Sequence, residues 1–138
     1  MARYFKNIFS AKQSVALRIL LTSSILLLTS SCQEGGEAGD LFGQWCMDGS
    51  DSKYISFSGS IIWIKELNVG NVYGNFQHQG DSLFIQCVST IGDPIDTVIV
   101  EDDYGFTPFT NIRTKIDALD SDHLILSKGG QIWRFYKY

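Results

Sequence analysis

From Leu41 to the carboxyl end, apolar and polar residues alternate with a period of two, and Gly, Asp and Ser punctuate the runs. That pattern predicts strands with one buried face rather than helices. Leu41–Met47 is a first strand, closed by Asp48-Gly49-Ser50-Asp51. Lys53–Ser58 sets Ile55 and Phe57 on one face and Tyr54 and Ser56 on the other, while Ile61–Glu66 is apolar on both. Val72–Gln77 follows, with Gly80-Asp81 as a hairpin signal before Leu83, Ile85 and Cys87. Val98 and Val100, after an Asp93-Pro94 turn, suggest a sixth strand ending in Glu101-Asp102-Asp103. Ile112–Leu119, the pair Leu124 and Leu126, and Gln131–Lys137 beyond Gly129-Gly130 complete the set. No window of a dozen residues has a 3.6-residue apolar period, apart from room for a short helical turn near Asn111–Asp117. About eight to nine short strands at roughly ten-residue spacing predict an all-β antiparallel barrel or sandwich. Closure into a barrel of about eight strands has the advantage of removing exposed edges.

The first 31 residues follow a different rule. Met1–Arg18 holds four bases and no acid, the apolar run Ile19–Leu28 comes next, and Thr29-Ser30-Ser31 leads into Cys32. A basic end, a short apolar core and small residues before a junction make up a secretory signal peptide. The run is too short for a permanent span, which needs about 20 apolar residues. The junction resembles the lipobox of bacterial lipoproteins, which implies that Cys32 is acylated and becomes the new amino terminus; plain cleavage leaving a spare thiol is the alternative. Residues 33–40 carry three glycines, three acids and no large apolar side chain, so 32–40 reads as an acylated cysteine plus a flexible tether, with the folded domain at 41–138. Gln33-Glu34 resembles the acidic export signal of surface lipoproteins only in part, so the periplasmic face and the cell surface both stay open.

Charge narrows the function classes. Seven bases stand against fifteen acids from residue 32 onward, a formal charge of −8. Such a chain lacks the basic surface that nucleic-acid binding requires. A length of 138 residues allows one small domain, and 13% aromatic content argues against disorder.

Leu41-Phe42-Gly43-Gln44-Trp45 resembles the Gly-x-Trp opening strand of lipocalins. Gly80-Asp81-Ser82-Leu83-Phe84-Ile85, the Ile116, Leu119, Leu124, Leu126 set around an aspartate-rich turn, and the closing Trp133-Arg134-Phe135 are similar to lipocalin-like lipoproteins of Bacteroidota. The resemblance covers most of 41–138 and implies a small up-and-down antiparallel barrel. It also implies barrel closure by Gly43 and Trp45, with Arg134 packed over the tryptophan. In that register Cys46 points outward and Cys87 inward, on opposite sides of the barrel, so the expectation is two free, mostly buried cysteines. The domain is shorter than ligand-carrying lipocalins, and a second lipocalin signature loop is missing.

Catalytic chemistry is scarce. His78 and His123 lack acid or cysteine partners at metal-ligand spacing and read as surface residues. Glu101-Asp102-Asp103 has oxygen ligands for calcium, but a solvated loop explains them with fewer assumptions. No Gly-x-Ser-x-Gly elbow presents a serine. We therefore expect no enzyme, no cofactor and no metal.

Two functions remain. One is an exported lipoprotein, anchored to the outer membrane through Cys32, whose barrel mouth binds a small apolar or amphipathic ligand with Phe57, Trp63, Phe76, Phe84 and Phe135. The other is a solid barrel whose outer face meets another envelope protein or an exported glycan system, with Tyr54, Tyr73 and Tyr104 as candidates for that face. A barrel of eight strands is wide enough either to be filled by side chains or to hold one small ligand.

Overall fold

A computed structural model of the chain describes residues 36–89, 92 and 94–138. The signal segment, Cys32 and the Asp93 half of the Asp93-Pro94 turn lie outside the described residues. Eight antiparallel strands close into one barrel in sequence order: β1 (Gly43–Met47), β2 (Lys53–Ser58), β3 (Ile61–Glu66), β4 (Gly70–Gln79), β5 (Ser82–Val88), β6 (Ile112–Leu119), β7 (His123–Lys128) and β8 (Gln131–Lys137). Closure comes from β1 pairing with β8, with Trp45 opposite Lys137 and Met47 opposite Phe135. The all-β barrel expected from the alternation is the fold observed.

Period two decides what fills the interior. Trp45, Ile55, Phe57, Ile62, Ile64, Phe76, Leu83, Ile85, Leu124, Leu126, Trp133 and Phe135 all point inward and are buried. Thr114 is the one buried polar side chain among the described residues, and its hydroxyl donates to the carbonyl of Leu83 at 3.3 Å. The two-residue turn Gly129-Gly130 has positive φ at both positions (54° and 84°), the conformation of a type I′ hairpin, which matches the twist of the flanking strands. At Gly74 a side chain is excluded for another reason: a Cβ there would lie 2.4 Å from the Gln86 carbonyl oxygen.

Two segments depart from the sequence reading. Val98 and Val100 do not form a strand. Pro94–Thr97 is a short helix, α1, and Val98–Asp103 continues it as a π-helical turn. A strand would put Val98 and Val100 on one face, whereas here the adjacent Ile99 and Val100 are buried and Val98 is exposed. The physical reason is that β5 pairs with β6 through Ser82–Ile85 and Ile112–Lys115, so eight strands already close the sheet and a ninth has no edge to join. Proline, with its fixed φ and missing N–H, suits the first turn of a helix. The second departure is the tether. Residues Gly36–Leu41 form a 3-10 turn, kinked at Gly39, with Ala38 and Leu41 buried. Small residues in this segment do pack: Ala38 is fully buried. The optional helical turn near Asn111–Asp117 is strand β6 instead.

Candidate functional site

Strand direction places the amino-terminal turn, the Gly80-Asp81 hairpin and the carboxyl terminus at one end of the barrel, and the connection between β5 and β6 at the other, the mouth. Both ends are covered. At the first, the Trp45 indole N–H donates to the Leu41 carbonyl at 2.8 Å, tying the barrel to the 3-10 turn. The Lys137 ammonium sits 4.3 Å from the centroid of the Trp45 ring and donates to the Phe42 carbonyl. Gly43 makes room for it, since a Cβ there would lie 2.9 Å from the lysine Nζ, and its φ of +109° disfavours other residues. Burial lowers the pKa of Lys137. Arg134 does not take the closing role expected of it. Trp133, Phe135 and Lys137 share the inward parity, which sends Arg134 to the exposed outer face. The strand period points instead to Lys137, three residues beyond Arg134 and on the inward face.

The mouth is capped by the segment from Pro94 to Phe106. Ile99, Val100, Tyr104 and Phe106 are buried, and Ile99 packs on Gly70 so closely that a Cβ there would be 3.0 Å away. The Tyr104 hydroxyl, with one proton to donate, lies 2.7 Å from the Lys65 carbonyl and 3.0 Å from that of Tyr54. Its own carbonyl accepts from the Trp133 indole at 2.6 Å, and Phe106 lies 4.7 Å from that indole. Burial pushes the Tyr104 pKa upward, so the hydroxyl remains a proton donor. Tyr104 is therefore a bolt of the cap rather than part of an outer patch.

The acidic run is occupied by the cap as well. Glu101 Oε1 accepts from the Phe109 N–H at 2.8 Å, and Lys53 Nζ donates to the Asp103 carbonyl at 2.7 Å. Burial and the adjacent Asp103 carboxyl raise the pKa of Glu66, whose Oε2 is buried and unpartnered. Among the described residues no group of three His, Cys, Asp or Glu is arranged to hold a metal ion.

The five aromatics proposed to line a cup are not brought together. Phe57, Phe76 and Phe135 are interior, and the first two meet edge to face with centroids 5.0 Å apart. Trp63 and Phe84 are outside, because their neighbours Ile62, Ile64, Leu83 and Ile85 take the inward positions. Trp63 is 44% exposed and packs against Tyr73 at 5.5 Å. Farther round the outer wall, Tyr54 and Tyr138 meet edge to face at 5.6 Å. The exposed Tyr136 and half-buried Tyr54 are the strand partners of Cys46, whose thiol is buried on the outer face. Cys87 is inside, and burial pushes its thiol pKa up to about 12. Both cysteines are free.

The concave site lies outside the barrel. A pocket of about 470 Å³ opens where β5 and β6 part company above the Ile85–Ile112 pair. Register builds it: Gln77 pairs with Phe84 and Phe84 with Arg113, while Asn75 pairs with Gln86 one row higher. The turn preceding β6 supplies Thr110 and Asn111. Arg113 lies 5.5 Å over the Phe84 ring, and its Nε donates to Asn111 Oδ1 at 3.1 Å. The pocket has no local sequence motif, because its side chains come from three strands and a turn.

The chain is similar to a lipocalin-like protein from Bacteroides uniformis, with a TM-score of 0.59 and 23% identity over 72% of this chain and 100% of that one. It is also similar to an uncharacterised protein from Bacteroides eggerthii, with a TM-score of 0.58 and 18% identity over 71% of this chain and 99% of that one. No family model matches the sequence, and no curated protein does. The fold is thus lipocalin-like.

Proposed function

We propose that this chain is a non-catalytic, exported lipoprotein, anchored to the outer membrane through Cys32, that works through the outside of its barrel by meeting another envelope protein. The observation that carries the reading is the packed interior. Phe57, Phe76 and Phe135 are no more than 3% exposed, and Tyr104 and Phe106 shut the mouth above them. A barrel of this size filled by side chains has no room for a lipid-like guest. The outer wall instead presents Trp63 and Tyr73 on β3 and β4, and Tyr136 and Tyr138 on the carboxyl-terminal side. Aromatic rings combine large contact area with hydrogen-bonding edges, which suits an interface.

The test has two arms. A fluorescent acyl probe titrated into the purified full chain should show no saturable binding. A photo-crosslinking residue at Trp63, in cells, should join the chain to one defined envelope protein, whereas the same residue at inward-facing Phe57 should not. Stoichiometric uptake of the acyl probe, reduced by bulkier side chains inside the barrel, would overturn the proposal.

A further inference from the structure

The pocket outside β4–β6 has a chemistry of its own. Arg113 has no carboxylate within ion-pair distance among the described residues, in a chain that carries fifteen acids from residue 32 onward. An arginine whose fork is not taken by an internal acid is able to pair a carboxylate from outside. The guanidinium is also positioned: Asn111 holds its Nε and Phe84 lies beneath it, leaving the terminal N–H donors of the fork without a hydrogen-bond partner among the described residues. Fixing the fork lowers the side-chain entropy lost on binding.

We propose that this pocket binds a saccharide bearing a carboxylate, with Arg113 pairing the carboxylate and the surrounding amides reading the hydroxyls. Three observations select this class. One guanidinium balances one negative charge, and no second cation lines the pocket, which disfavours a phosphate dianion in an acidic protein. Asn75, Gln77, Gln86 and Asn111 each offer donors and an acceptor, the mixed demand that vicinal hydroxyls make and an alkyl chain does not. The volume of about 470 Å³ falls within the range of small-molecule sites, about 300–1,000 Å³. The inference rests on the reading that the outer wall, not the interior, is the working surface.

Saturation-transfer NMR on the full chain tests it with four probes: sodium glucuronate, glucose, acetyl-dialanine and inorganic phosphate. Glucuronate ring protons should receive saturation, with glucose at least tenfold weaker. Arg113→Gln should weaken glucuronate about 10- to 100-fold, the loss expected for charged hydrogen bonds. Because Arg113 is exposed and outside the core, the variant should melt with the wild type, which separates lost binding from lost folding. Glucose equal to glucuronate, phosphate displacing glucuronate at lower concentration, acetyl-dialanine binding in its place, or Arg113→Gln leaving the affinity intact would each overturn the proposal. Uptake of an acyl probe by the barrel would sink the packed-interior reading while leaving the glucuronate signal untouched, so the two failures are distinguishable.

Discussion

Replacing Phe57 by Ala tests whether the barrel interior is packed or is a cup. Phe57 is fully buried and meets Phe76 edge to face at 5.0 Å. Returning such a side chain to water costs about 1.5–3 kcal/mol in transfer free energy. The lost ring pair adds about 0.5–1.5 kcal/mol, and the cavity left behind brings the expected total to about 3–5 kcal/mol. For a domain of about 100 residues each kcal/mol moves the midpoint by about 4–8 °C, so melting should fall by at least about 12 °C. The assay is thermal unfolding by circular dichroism, repeated with saturating benzene. A dry apolar hole takes up benzene, so benzene should raise the midpoint of Phe57→Ala and leave the wild type unchanged. A drop of less than about 4 °C, equivalent to at most about 1 kcal/mol, would refute the packed interior. Benzene stabilising the wild type would refute it independently.

Two perturbed carboxyls among the described residues give pH effects of opposite sign. Glu66 has a raised pKa, so its contribution is present at low pH and is lost as pH rises through the folded-state value. Glu66→Gln, which keeps the donor at every pH, should therefore match the wild type in acid and melt higher at neutral pH. Asp120 has a lowered pKa because the Asp122 and His123 N–H groups donate to its Oδ1, so its contribution is lost as pH falls through that value. Asp120→Asn should reduce that acid-side loss and melt lower at neutral pH; equal midpoints at neutral pH would remove the carboxylate's role in the turn. In the native state Cys87 should resist iodoacetamide at mildly alkaline pH, because its thiol titrates near 12, and should react once the chain is unfolded in urea. Rapid native alkylation of Cys87 would show that the mouth opens readily. Cys32→Ser should move the chain from the detergent phase to the aqueous phase in a cloud-point partition; retention in the detergent phase would rule out anchoring through that cysteine.

Strand identity was legible because it depends on local alternation. Ile55 and Phe57, Leu83 and Ile85, Leu124 and Leu126 declare their faces within single strands, and all six are buried. Parity alone also places Trp63, Phe84 and Arg134 outside, whatever their side-chain type. The cap was not legible. Val98-Ile99-Val100 is β-branched throughout, and only the completed pairing of eight strands forces it into a helical turn. Local preference yields there to what the mouth requires, namely apolar bulk where Ile99 and Val100 now sit.

The same distinction explains why candidate sites were harder to read than the fold. A barrel interior is specified by many residues repeating one pattern, so a few misassigned positions leave it recognisable. The Arg113 pocket rests on register: Arg113 is distant in sequence from Gln77 and Phe84, yet the three fall in one row across three strands. A slip of one residue in the β5–β6 pairing would move Arg113 away from Phe84 and send it into the core. The inward neighbours Ile112, Thr114 and Ile116 prevent that slip, because shifting them outward would expose the core face of β6. The core therefore fixes the outer row as firmly as the inner one. That is how a packed barrel with its mouth capped can still hold a guanidinium and four amides in a defined arrangement on its outer wall.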